Sequence, residues 1–263
     1  TTHVDTATSV KTDVQHLRQV MDQVGHPALL VVDCIASMGC DEFRMDDWGV
    51  DVALAASQKG LMTPAGMGFL WFNDKAKVAG QGARLRTPYW DWGPRAKAQA
   101  FWQLWHGTVP THHIFALRAA LDLIGAEGLP AIWHRHAILA RTVWAAFDAW
   151  SQGAPRIALN VADPAQRAHA VTAVRLGAPD GQRLRSWVEG QAGLTLGVGL
   201  GMETEADPQA TGFLRVAHMG HVNAHMTLGA LATIDAGLKA LGIAHGPGAV
   251  EAATRVVAAG AAG

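Results

Sequence analysis

The chain has 263 residues, 49% of them hydrophobic, which is enough for one large core and a second, smaller one. Its formal net charge of −1, with no long basic block, argues against a nucleic-acid surface. No apolar run approaches the roughly 18 residues of a membrane helix, and a cytoplasmic location is the expectation.

Between Thr12 and Val24 the residues Val14, Leu17, Val20, Met21 and Val24 recur at helical spacing, with Thr12 or Asp13 as the cap. Gly25-His26-Pro27 stops that helix. Ala28-Leu29-Leu30-Val31-Val32-Asp33 is an apolar, β-prone run ending on one acid. After an irregular loop through Asp46-Asp47-Trp48-Gly49, the run from Val50 to Ala56 has the same form and stops at Ser57-Gln58-Lys59. Gly60, Pro64, Gly66 and Gly68 keep the next segment irregular. Met67 to Phe72 is apolar throughout and is expected to be a further strand, central in its sheet. This alternation predicts an α/β fold with a largely parallel sheet.

Residues 80–107 are polar and glycine-rich, then aromatic around Tyr89-Trp90-Asp91-Trp92, and read as a long surface excursion near a crevice mouth. Trp102 and Trp105 fit a core, a subunit contact or a substrate contact alike. A helix is expected over Thr111 to Glu127, with Ile114, Leu117, Ala120, Leu121 and Ile124 on one face and free amides at its start that favour an anion. A second helix runs from about Ala131 to Trp150. Ser151-Gln152-Gly153-Ala154-Pro155 is the candidate hinge between a large domain, 1–150, and a small one, 151–263. Past it, a strand at Val171 to Arg175, a helix around Gln182 to Ala192, a strand at Phe213 to Ala217 and a helix from Val222 to Leu241 suggest an α+β lobe. The tail after Gly246 reads as a short terminal helix. Gly197-Val198-Gly199-Leu200-Gly201 lacks both the third glycine and the strand-to-helix turn of a dinucleotide loop.

The two cysteines, Cys34 and Cys40, lie beside an expected buried strand and suit small apolar roles. The thirteen histidines carry no HExxH pattern, and there is no CxxC. His134-Arg135-His136 and His218, His221 and His225 come nearest to a cluster, and no metal is expected.

Asp33 and Lys59 both fall where strands stop, and in open α/β sheets ligands bind outside the carboxyl ends of the strands. A lysine can form a Schiff base, and pyridoxal 5'-phosphate is the cofactor that uses one, with an acid on its ring nitrogen. The acid keeps that nitrogen protonated, because a nearby opposite charge favours the charged form. In this order, Asp33-Cys34-Ile35-Ala36-Ser37-Met38-Gly39, Trp48-Gly49-Val50-Asp51 and Ser57-Gln58-Lys59-Gly60 resemble the cofactor-binding core of class V, fold type I aminotransferases. The resemblance is to the alanine/serine–glyoxylate group. His3-Val4-Asp5-Thr6-Ala7-Thr8-Ser9 resembles the family's His-x-Glu-[Ser/Thr]-x-Thr-Gly segment, with Asp5 for Glu and Ser9 for Gly. In the family that segment lies well inside the large domain. By this resemblance the N-terminal part, with its phosphate turn and ring-stacking aromatic, is missing here. Trp105-His106-Gly107-Thr108-Val109-Pro110-Thr111 resembles the segment that sends a threonine to the cofactor phosphate of the neighbouring subunit, with Trp105 where tyrosine is common. Phe213-Leu214-Arg215-Val216-Ala217-His218-Met219-Gly220 resembles the family's Phe-Arg-Ile-Gly-His-Met-Gly motif.

The resemblance implies a homodimeric pyridoxal-phosphate aminotransferase. It would move an amino group from a small amino acid, such as serine, alanine or an aspartate-like donor, to glyoxylate or pyruvate. Lys59 is implied to hold the cofactor and shuttle the proton, Asp33 to meet the ring nitrogen, and Ile35 to pack on one ring face. Thr6 matches the residue that bonds the ring oxygen, and Gln58 and Ser57 are candidates for ring-oxygen or phosphate contacts. Thr108 would serve the other subunit's phosphate. Arg215 would hold the α-carboxylate, for which a guanidinium offers a matching fork. His218 is assigned support rather than chemistry. Two alternatives stand beside this reading: a class V lyase or desulfurase, for which Cys34 and Cys40 are misplaced, and a truncated, non-catalytic relative.

Overall fold

The computed structural model describes residues 1–105, 107–154 and 156–260. His106 of the Trp105–Thr111 segment and Pro155 of the candidate hinge lie outside the described residues. Strands β1 (Val31–Asp33) and β2 (Val52–Ala56) pair in parallel, with Asp33 opposite Leu54. The N-terminal residues continue the parallel arrangement on the far side of β1, since Thr2 bridges Asp33 in parallel and the His3 amide donates to the Asp33 carbonyl. Helix α1 (Val14–Gln23) starts at Asp13, whose carboxylate accepts from the His16 amide at 2.8 Å. Its Val14, Leu17 and Met21 pack on Leu30, Val32, Cys34, Val50 and Ala53 beneath the sheet's parallel part.

The apolar run Met67 to Phe72 forms β3 (Gly68–Phe72), but antiparallel to β2 and at the edge of the described sheet, not at its centre. Trp71 on this strand is 41% exposed. An apolar run reports that both faces tolerate cover; it says nothing about whether both backbone edges are paired. Helix α2 (Asp74–Gln81), capped by Asn73, and the short α3 (Gly93–Ala96) lie in and before the aromatic excursion, which is a largely exposed surface.

Helix α4 (Thr111–Glu127) and helix α5 (Leu129–Ser151) meet at Gly128, whose φ of +83° makes the bend a glycine position. The second sheet is fully antiparallel, in the order β4 (Ala158–Leu159), β5 (Val171–Arg175), β7 (Phe213–Ala217), β6 (Gly197–Val198). Helices α5, α6 (Asp180–Ala192) and α7 (Ala224–Ala240) pack against it, and α8 (Ala249–Gly260) packs on α5 and α7. Its core joins Val143, Phe147 and Trp150 of α5 to Val174, Leu214, Leu231, Ile234 and Ala253. The expected α+β lobe is therefore present, and the last turns of α5 are built into it. No helix among the described residues is long and apolar enough to cross a membrane.

Ser9 occupies the left-handed region at φ +64°, and its buried hydroxyl has no hydrogen-bond partner among the described residues. A side chain there costs about 1–2 kcal/mol, and an unpaired buried hydroxyl about 1–3 kcal/mol. Ser9→Gly removes both and returns roughly 0.5–1 kcal/mol in added chain freedom. The variant should therefore unfold at higher urea concentration than the wild type; a lower midpoint would contradict this account of the turn.

Candidate active site

Three strand ends come side by side at one edge of the first sheet. Thr6 follows the N-terminal bridge, Asp33 closes β1, and Lys59 lies in the turn after β2. Close backbone packing fixes how the two latter turns meet. A Cβ on Gly60 would stand 2.1 Å from the Met38 carbonyl oxygen and 2.9 Å from Cys40 Sγ, and one on Gly39 would stand 3.1 Å from the Gly60 carbonyl oxygen. Only glycine at 60 lets the turn after β2 lie on the turn after β1. Met62, whose amide donates to the Lys59 carbonyl, takes a left-handed φ of +60°, so the lysine turn stores backbone strain.

The second lobe reaches the same turn through Gly220. A Cβ there would lie 3.5 Å from the Lys59 carbonyl oxygen and 3.3 Å from Met62 Cγ. The Gly220 amide donates to His136 Nε2 at 3.0 Å, while Arg135 Nη1 donates to the Gly220 and Val222 carbonyls. Arg135 is held in turn by a two-pronged pair with Glu127 at 2.6 and 3.0 Å. Neither Arg135 nor His136 was legible as a clamp in the sequence, where the His134-Arg135-His136 run only suggested a weak metal cluster.

Asp33 is half-buried, and its Oδ1 accepts from the Ile35 amide at 2.8 Å. Oδ2 and the half-buried Lys59 amine have no hydrogen-bond or ion-pair partner among the described residues. The Thr6 hydroxyl also lacks a partner among the described residues, whereas its carbonyl accepts from Arg215 Nη1 at 2.9 Å. Arg215 Nε donates to the Val198 carbonyl at 2.8 Å. The structure thus brings Thr6 and Arg215 together, and Asp33 and Lys59 to adjacent strand ends. Gln58 is exposed, as is Thr108, which lies in the irregular stretch before α4.

Ser57 requires a correction. It is fully buried; its hydroxyl donates to the Pro64 carbonyl at 2.7 Å and accepts from the Met67 amide at 3.2 Å, and its carbonyl accepts from the Thr63 hydroxyl at 2.9 Å. It ties the loop after Lys59 together and presents no group to a ligand. Its place beside the lysine in sequence could not reveal this, because consecutive residues past a strand end point in different directions.

His218 is buried in a chain of bonds with one consistent proton order. Its Nδ1 donates to the His169 carbonyl at 2.8 Å, so Nε2 accepts from the Thr172 hydroxyl at 2.9 Å, and that oxygen accepts from Trp144 Nε1 at 3.1 Å. Burial pushes His218 down to about 3 and, with Lys11 nearby, His3 and His169 down to about 4; burial also lowers His136. Asp41, which accepts from the His169 amide at 3.0 Å, is pushed the other way by burial, up to about 6. Each lowered histidine is harmless above its ordinary 6.5 and destabilises as pH falls toward its folded value. Asp41 favours the fold as pH falls through 6, but it is one group against four histidines. Stability should therefore drop as the pH falls from about 6.5 to 5, by roughly 2 kcal/mol per fully buried histidine. Urea unfolding at pH 7.5 and 5 checks this, and an equal or higher midpoint at pH 5 would refute it.

A sheet whose parallel strand ends carry an acid and an amine, with an antiparallel lobe packed beside them, is the architecture of the fold type I pyridoxal-phosphate enzymes. Within that class the chain belongs to the class-V aminotransferase family, whose family model matches residues 1–224. It is 36% identical over 261 residues to the serine–glyoxylate aminotransferase of Arabidopsis thaliana, covering 96% of this chain and 61% of the relative. To the L-aspartate–glyoxylate aminotransferase of Paracoccus denitrificans it is 35% identical over 246 residues, covering 92% and 58%. The crystal structure of the ureidoglycine–glyoxylate aminotransferase from Bacillus subtilis matches with a TM-score of 0.80 at 27% identity, over 97% of this chain and 64% of that one. The chain spans about three fifths of the length of these relatives.

The residues present fit the cofactor on their own chemistry. Asp33 Oδ2 and the Lys59 amine, without partners among the described residues, are both open to a ligand that offers a protonated ring nitrogen to one and a carbonyl carbon to the other. Both thiols are buried, and burial raises each to about 12. Neither supplies a nucleophile.

Proposed function

We propose that the protein to which this chain belongs transfers the amino group of a small amino acid, serine, alanine or an aspartate-like donor, to a 2-oxo acid such as glyoxylate or pyruvate. The observation that carries the reading is the Lys59 amine, without a partner among the described residues, one strand over from the Asp33 oxygen that has none there either. Lys59 would hold pyridoxal phosphate, Asp33 its ring nitrogen, Ile35 one ring face and the Thr6 hydroxyl its ring oxygen, with Gln58 nearby. Bound there, the cofactor supplies an electron sink for the carbanion at the substrate's Cα and carries the amino group between the two half-reactions. Lys59 Nζ takes the Cα proton and returns it, as general base and then acid. Arg215 receives the substrate carboxylate, which sets the Cα–H bond toward Lys59. The names of the relatives, with serine, aspartate and ureidoglycine as donors and glyoxylate as acceptor, support this substrate class. A desulfurase is disfavoured by the two buried, high-pKa thiols.

The working unit is a homodimer in which Thr108 serves the partner's cofactor phosphate. Support comes from exposed apolar side chains on either side of that residue in the chain, Phe101, Trp102 at 66%, Leu104 and Phe115 at 77%. We further propose a division into 1–150 and 151–263, and a cytoplasmic location, with which the two unpaired thiols agree. The test is a panel of amino donors assayed against glyoxylate and pyruvate with the complete protein. Transfer from at least one small donor is the expected outcome. A protein that binds no cofactor and transfers nothing would support a non-catalytic relative instead.

A further inference from the structure

The Asp5 carboxylate spends its oxygens inside its own turn. It accepts from the Ala7 amide at 3.2 Å, the Thr8 amide at 3.2 Å and the Thr8 hydroxyl at 2.5 Å. Asn160 Nδ2 braces the same turn by donating to the Thr8 carbonyl at 3.0 Å. Burial pushes the Asp5 carboxyl up, but the Thr8 hydroxyl, the two amides and the Arg215 charge outweigh it and bring the group below its usual range. The turn thus holds an ionised Asp5, and with it the direction of the Thr6 carbonyl.

That carbonyl is one of two that orient Arg215. Thr6 takes Nη1 from one side and Val198 takes Nε from the other. Gly197, opposite Arg215 in the β6–β7 register, leaves room for the stem, since a Cβ there would stand 3.1 Å from Arg215 Cβ and 3.4 Å from Nε. Nη2 has no partner among the described residues. A guanidinium anchored at two of its five N–H groups and open at the far end is preorganised for one planar anion.

We propose that Asp5 is a positioning residue for the substrate carboxylate: it fixes the 5–8 turn, the Thr6 carbonyl of that turn fixes Arg215, and the open end of Arg215 receives the acid. This rests on the role of Arg215 proposed above. The test uses the cofactor-loaded protein and propionate, a carboxylate without an amino group, with binding read from the shift of the cofactor absorbance and by calorimetry. Asp5→Ala should weaken propionate binding and raise KM for the amino donor about tenfold, with kcat within about threefold, as loss of uniform binding requires. Asp5→Asn keeps an oxygen that accepts from the turn, and should recover both constants to within about threefold of the wild type. If Asp5→Ala does not fold, Thr8→Val, which removes one of the three bonds, carries the same direction at about threefold. Unchanged propionate binding in Asp5→Ala, or in Thr8→Val where that stands in for it, overturns the proposal, as does an Asp5→Asn as weak as Asp5→Ala, because charge and not the turn would then be responsible. Arg215→Lys separates the two layers. If it leaves propionate binding intact, the reading of Arg215 itself fails; if it abolishes binding while Asp5→Ala does not weaken it, only the positioning role fails.

Discussion

Replacing Lys59 with alanine is expected to remove the absorbance band of lysine-held cofactor and to lower turnover by about 10³-fold or more, because on the proposed reading one amine both carries the cofactor and moves the Cα proton. The fold offers no ready substitute. Lys11, Lys75, Lys77 and Lys239 face Asp41, Asp51, Asp74 and Asp235, each within ion-pair distance, and Lys97 is exposed on the excursion after α3. Lys59→Ala should remain folded, since the amine makes no hydrogen bond or ion pair among the described residues. Its unfolding midpoint should stay near that of the cofactor-free wild type while activity disappears. A variant that keeps the band or more than a tenth of the activity would show that another amine does this work.

Asp33→Asn is expected to give the second largest effect. The amide oxygen can still accept from the Ile35 backbone, so the turn after β1 survives, but the negative charge is gone. On the proposed reading, the protonated ring nitrogen then loses the opposite charge that favours it, and with it the electron sink for the Cα carbanion. Turnover at saturating donor should fall by about 10²-fold, a barrier change of roughly 3 kcal/mol. Covalent attachment at Lys59 should persist. Turnover within about threefold of the wild type would mean that Asp33 does not face the ring.

The sequence made the two strand ends legible because each is an apolar run broken by a single charge, a pattern that a solvated loop seldom produces. Helices α1 and α4 were legible from periodicity, with α4 running from Thr111 to Glu127 as expected. The edge position of β3 was hidden, because Phe69, Leu70 and Trp71 are apolar whichever strand stands beside them. So was the true work of Ser57, which depends on Pro64 and Met67 folding back over it. The anchoring of Arg215 by Thr6 joins residues 209 positions apart, and its other anchor is the backbone of a two-residue strand; neither leaves a trace in composition or spacing. The surface over 80–105 has no period to read, since its apolar side chains, such as Leu85 at 93% exposure, face outward.

On the proposed reading, the ends of β1 and β2 hold one cofactor between Asp33 and Lys59. The decisive experiment is to reduce the cofactor-loaded protein with borohydride and map its peptides by mass spectrometry. A pyridoxyl group is expected on the peptide containing Lys59 and on no other lysine. A label at Lys11, Lys75 or Lys97, or no label at all, would contradict it.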